Sequence, residues 1–102
     1  MSKFKQWLFD IRENPNLHGV YSVEEIHVLF IGVELGYQFN DAKPDEFMLE
    51  FKNNFQSWIR NYYRIKSTQS WPKIIRFFSR TDEESLRVFF DRLSDFLEKE
   101  NK

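Results

Sequence analysis

The sequence has no cysteine and only three glycines and three prolines in 102 residues. Without cysteine there is no disulfide framework, and the absence fits a reducing compartment. Three glycines, at positions 19, 32 and 36, leave no glycine-rich loop to cradle a phosphate. The longest unbroken apolar stretch, Val28 to Val33, is far short of a membrane span. The opening MSKFKQW lacks the apolar core of a signal peptide. The expectation is therefore a cytoplasmic chain with no membrane partner. What the sequence holds in excess is aromatic rings: twelve Phe, four Tyr and three Trp. Each can remove roughly 150–250 Å² from water when buried. Half of them suffice to anchor a small core, which excludes disorder for the bulk of the chain.

Net charge is −1, but the charges are segregated. Residues 1–50 carry four bases against nine acids, and residues 82–102 four against seven. Between them, residues 51–81 carry seven bases (Lys52, Arg60, Arg64, Lys66, Lys73, Arg76, Arg80) and no acid. Such segregation can mark a binding surface. It also arises when a basic element lies between two acidic neighbours and neutralises them.

Turn signals divide the chain into five helix-like segments of one all-α domain spanning 1–102, with a polar tail from about residue 98. Ser2 is an N-cap for a first helix with Phe4, Trp7, Leu8 and Ile11 on one face, ending near Asn14 because Pro15 follows. Gly19 is free to take positive φ in the next turn. Ser22-Val23-Glu24-Glu25 and Thr81-Asp82-Glu83-Glu84 read as capping boxes. The helix after Ser22 has two apolar stripes, one of Ile26, Leu29, Phe30, Val33 and Tyr37, the other of Val28, Ile31, Leu35 and Phe39. A helix apolar on two sides is expected to be central and sandwiched, although its β-branched residues also permit a strand. A third helix runs from Asp45 to about Ile65, with Phe47, Phe51, Phe55, Trp58, Ile59 and Tyr62 on one face. Ser70 and Pro72 open a short fourth helix with Ile74, Ile75 and Phe78 inward. The fifth turns Leu86, Phe89, Phe90, Leu93, Phe96 and Leu97 inward.

Chemistry is sparse. The two histidines, His18 and His27, fall in different elements, His18 in a turn suited to a backbone contact and His27 on a polar helix edge. No metal-ligand spacing occurs, so no metal and no cofactor are expected. Serines are placed as caps or on the surface rather than beside a base, and no carboxylate pair lies in apolar surroundings. An enzyme is not expected. The basic segment interleaves rings with cations, as single-stranded nucleic acid binding requires. Trp58 and Tyr62 are expected inward, however, leaving Tyr63 as the one ring on the Arg60 and Arg64 face. That thin platform and a pI near 6.1 argue against nucleic acid.

Ile11-Arg12 with Pro15, Gly36-Tyr37 after the apolar helix, Phe55 with Trp58-Ile59, Ser70-Trp71 before Ile74-Ile75, and Phe89-Phe90 with Leu93 and Phe96 resemble small bacterial immunity-type proteins. That family accompanies contact-dependent growth-inhibition and rearrangement-hotspot toxins. The resemblance spans Trp7 to Leu97 and rests mainly on core and turn residues. The family pattern Pro-Gly-Met-Tyr-Leu-Gly stands here as Pro15-Asn16-Leu17-His18-Gly19-Val20, with the glycine displaced by one position. The resemblance implies a helical, cytosolic, non-enzymatic protein that neutralises a cognate toxin by occlusion. A nuclease toxin needs a basic cleft, so an acidic inhibitor surface is expected, formed by Glu24, Glu34, Asp41, Asp45, Glu46 and Glu50. These acids also suit a solvated face or helix starts. The alternative is an interaction or nucleic-acid-binding module using Arg60, Arg64, Lys66, Lys73, Arg76 and Arg80.

Overall fold

The computed structural model describes residues 2–99, so residues 100–102 of the expected polar tail lie outside it. The order is α1 (Lys3–Glu13), α2 (Val23–Phe39), α3 (Glu46–Tyr63), α4 (Trp71–Phe77) and α5 (Asp82–Glu98). Among the described residues there is no strand, so the strand alternative for residues 26–33 is set aside. The radius of gyration is 13.5 Å, as close packing of about 100 residues requires.

Caps set the helix starts. Ser2 Oγ accepts from the Lys5 N–H at 3.0 Å and Asp45 Oδ1 from the Met48 N–H at 2.9 Å. The two capping boxes are displaced by one residue on their return arm. Ser22 Oγ accepts from the Glu25 N–H at 3.4 Å, but the Glu25 carboxylate accepts from the Tyr21 N–H at 2.8 Å rather than from the Ser22 N–H, and also accepts from the Ser22 hydroxyl at 3.3 Å. Likewise Thr81 accepts from the Glu84 N–H at 3.0 Å, while Glu84 accepts from the Arg80 N–H at 2.9 Å. The carboxylate reaches past the cap to the donor before it, which ties down the incoming chain as well as the helix end. Ser70 occupies the N-cap of α4 but makes no side-chain cap. Gln56 on α3 accepts from the Trp71 N–H at 2.7 Å instead.

The sandwiched element is α4, not α2. This seven-residue helix packs against α2, α3 and α5, and Trp71, Pro72, Ile74 and Ile75 are all buried. The Trp71 ring lies 5.3 Å from Phe89, 5.2 Å from Phe55 and 5.4 Å from Phe51. Phe78, expected inward, is 44% exposed because it is already the C-cap of α4. On α3 the inward direction is rotated toward Met48: Met48, Phe51, Phe55 and Ile59 are buried, Phe47 and Trp58 are half-buried, and Tyr62 is exposed. The α5 face is as expected, with Leu86, Phe89, Phe90, Leu93 and Phe96 buried. One polar group in this core joins distant segments. Ser85 Oγ accepts from the Val23 N–H at 3.1 Å and donates to the Asp82 carbonyl at 2.6 Å, so the start of α2 is fastened to the first turn of α5.

Candidate binding surfaces

With α4 and α5 covering one side of α2, only its first stripe is used. Ile26 and Phe30 are buried and Leu29, Val33 and Tyr37 pack partly against the core. The second stripe faces solvent: Val28, Ile31, Leu35 and Phe39 are exposed, Phe39 to 80%. They stand at i, i+3, i+7 and i+11, a continuous apolar ridge along one helix face. Acids stand at its ends. Glu24 is exposed in the first turn, and Asp41 is exposed just past the C-cap with φ 50, a left-handed conformation that a short polar side chain tolerates. They are about 25 Å apart along the helix axis. The ridge also passes Gly32. A methyl group built on Gly32 or Gly36 meets nothing within 4 Å, so packing inside this chain calls for neither glycine. Gly32→Ala and Gly36→Ala should therefore each raise stability by about 0.5–1 kcal/mol. Urea denaturation measures this, and a lowered midpoint would mean that the surroundings of α2 are misread.

The six acids do not form one patch. Glu34 pairs with Lys52 at 3.0 Å and Glu50 with Lys99 at 3.0 Å. Asp45 is occupied twice, capping α3 and accepting from the Ser2 hydroxyl at 2.7 Å. Glu46 is exposed on α3 and shares two open grooves, of about 480 and 610 Å³, with Lys5. Glu24 and Asp41, which flank the α2 ridge, make no ion pair among the described residues.

The basic segment is partly neutralised by its flanks. Lys52 reaches back to Glu34, Arg76 Nε lies 2.9 Å from Asp82, and Arg80 lies 3.4 Å from Glu84. Arg76 also donates to the Ser79 carbonyl at 2.9 Å. Arg64, Lys66 and Lys73 are exposed and make no ion pair among the described residues, and Arg60 keeps a buried Nε without a hydrogen-bond partner. The expected ring is displaced. Tyr63 is half-buried, stacked on Phe78 with centroids 4.4 Å apart, and burial raises its hydroxyl above the ordinary phenol range. Tyr62, Phe77 and Phe78 are the exposed rings instead. Tyr62 is covered on one side by the Arg92 guanidinium, 4.3 Å from its centroid.

Comparison with family models, curated proteins and solved structures finds no match. The surfaces must be read from their own chemistry. No group of three or more His, Cys, Asp or Glu among the described residues could hold a metal ion, and no described helix is long and apolar enough to cross a membrane. His18 joins its turn through both its backbone, donating to the Pro15 carbonyl at 3.2 Å, and its ring, 2.7 Å from Asp10. His27 is half-buried, edge-on to Trp71 at 5.4 Å.

Burial lowers the His27 pKa below its ordinary value of 6.5. The unfolded chain then binds the proton more readily than the folded one, so the contribution of His27 to stability is complete above pH 6.5 and is lost as pH falls through the folded value. The urea midpoint should decline as pH falls below the ordinary histidine value of 6.5, and His27→Gln should remove that part of the decline. Glu84 acts in a separate window. The Arg80 backbone N–H holds its carboxyl below 4.5, so its share is lost only at lower pH. A profile unchanged by His27→Gln would contradict the assignment.

Proposed function

We propose that this protein is a toxin-neutralising inhibitor of the immunity type, and that it captures its partner by laying α2 into an apolar groove. The exposed ridge Val28, Ile31, Leu35 and Phe39 supports this reading. Anchors at such spacing are what a helix offers when it docks into a groove. The cost of keeping four large apolar side chains in water is offset if a partner removes them from it. Glu24 and Asp41 at the two ends suit a partner whose groove is bordered by cations, as a nuclease substrate cleft is. The resemblance to immunity-type proteins points to a toxin as that partner, and occlusion of its substrate surface is the mode of inhibition. No residue of this chain needs to do chemistry.

The test uses a candidate toxin domain taken from a neighbouring reading frame, with binding followed by stopped-flow fluorescence and survival scored in co-expressing cells. Reversing Glu24 and Asp41 to Lys should slow association about tenfold at low salt, and the difference should shrink as screening shortens to about 8 Å. Reversing Arg64, Lys66 and Lys73 should leave toxin binding unchanged. The alternative module acting through the basic segment predicts the converse, with the basic reversals abolishing a salt-sensitive oligonucleotide complex. A toxin domain that does not bind the wild-type protein rejects the immunity reading.

A further inference from the structure

A second surface, remote in sequence from the α2 ridge, has the makings of a site of its own. Between the end of α3 and α4 lies an open cleft of about 170 Å³, its apolar walls formed by Ile65, Ile74, Phe77 and Phe78. Phe77 is 77% exposed although it stacks edge-on against Phe78 at 5.1 Å. An apolar cavity of about 150 Å³ accommodates a benzene ring, so the cleft matches one large apolar side chain. Its polar lining has little to offer. The Ser67 hydroxyl accepts from the Gln69 N–H at 3.0 Å, and the Gln69 carbonyl accepts from Gln56 at 2.9 Å. A nucleobase placed there would find few partners for its edge, whereas a Phe or Leu side chain requires none.

The cations are immediate neighbours in the chain. Lys66 lies between the lining residues Ile65 and Ser67, Lys73 precedes Ile74, and Arg64 precedes Ile65. All three are exposed and without an ion pair among the described residues, while of the first acids beyond the segment, Asp82, Glu83 and Glu84, the first and the last are already engaged by Arg76 and Arg80. Arg64 carries a further mark. It closes α3 in the left-handed conformation, φ 56, donating to the Asn61 carbonyl while Ile65 donates to that of Arg60. Glycine is the residue that fits this position without strain. Here a long cationic side chain is kept next to the lining residue Ile65 at the expense of backbone comfort.

We propose that the α3–α4 cleft is a docking site for an acidic peptide segment bearing one bulky apolar residue, the apolar side chain entering between Ile65, Ile74 and Phe77 and the carboxylates meeting Arg64, Lys66 and Lys73. This surface is independent of the α2 ridge, and its test is separate from that of toxin binding.

The probe is a fluorescein-labelled decapeptide of Glu and Asp residues with one central Phe, followed by anisotropy against the full chain at low and physiological salt. Saturable binding is expected at micromolar concentration, weakened at least tenfold when the peptide's Phe becomes Ala. Phe77→Ser and the pair Lys66→Glu, Lys73→Glu should each weaken it at least tenfold. Arg64→Gly is the diagnostic variant, because it relieves the left-handed backbone: its unfolding temperature should rise while its affinity for the peptide falls about threefold to tenfold. It keeps the test informative even if another variant folds poorly. The proposal is overturned if the peptide shows no saturable binding, if the Phe-to-Ala peptide binds equally well, or if an oligonucleotide of equal charge binds more tightly. Self-association that saturates the cleft, seen as a dimer by light scattering and abolished by Phe77→Ser, would also overturn it in favour of a second copy as occupant.

Discussion

Phe89→Ala is expected to cost about 3–5 kcal/mol and to lower the urea midpoint by at least about 1 M. Phe89 is fully buried on α5, with the Trp71 ring stacked beside it at 5.3 Å and Phe90, Phe55, Phe51 and Phe30 within 6.5 Å. Removing the ring opens a void bounded by other large rings, which cannot collapse into it without leaving their own contacts. A domain of this size has about 5–15 kcal/mol in total, so the variant should sit close to its unfolding threshold. Trp58→Ala is the internal comparison. Its ring is half-buried at the edge of the cluster, stacked with Tyr62 at 5.4 Å, and water can fill part of the space it leaves. Its loss should be clearly the smaller. If Trp58→Ala proves the more damaging, the centre of the core lies nearer the end of α3 than the packing indicates.

The second large effect concerns binding rather than folding. Leu35→Asn and Phe39→Asn should each weaken toxin capture by about 2–4 kcal/mol, or roughly 30- to 1,000-fold, because a few large apolar anchors carry most of an interface's energy. Both side chains face solvent, so the urea midpoint should move by no more than about 0.5 kcal/mol equivalent. The loss should appear mainly as faster dissociation, in contrast to the charge reversals, which act on association. Isothermal calorimetry with the toxin domain and circular dichroism on the same samples separate the two quantities. Wild-type affinity in both variants would remove α2 from the interface.

Much of the architecture was legible because local signals agree with one another. Ser2, Ser22 and Thr81 mark helix starts in sequence and cap them in space, and the α5 stripe predicted its buried face. What sequence could not settle was which of two apolar stripes on α2 would be covered. Periodicity identifies faces but not neighbours, and the neighbour that matters, α4, has only seven residues. Its Trp71 and Ile74-Ile75 draw α2, α3 and α5 together, leaving the second stripe bare. The same limit explains the candidate site. Glu24 and Asp41 differ from Glu34, Asp45 and Glu50 only through partners 18 to 49 positions away, such as Lys52, Ser2 and Lys99. The exposed Phe77 and Phe78 were missed because they end a helix too short to define a face; their signal was the run of two rings directly after Ile74-Ile75-Arg76.

The Ser85 hydroxyl gives the protein a timetable. The first buried N–H of α2 finds its acceptor on a residue 62 positions later, and Phe89, one of the rings around Phe30, also belongs to α5. A ribosome adding about 5–20 residues per second takes about 3–12 s to travel that distance. During that interval the α2 segment has been made but lacks its Ser85 anchor and its packing against α5. Under the proposed inhibitor function, a partner released by the same cell would meet a finished α2 only after α5 has emerged, and inhibition would lag behind synthesis by seconds. For a cell that also makes the toxin, the order in which the two chains are completed then matters as much as how tightly they bind.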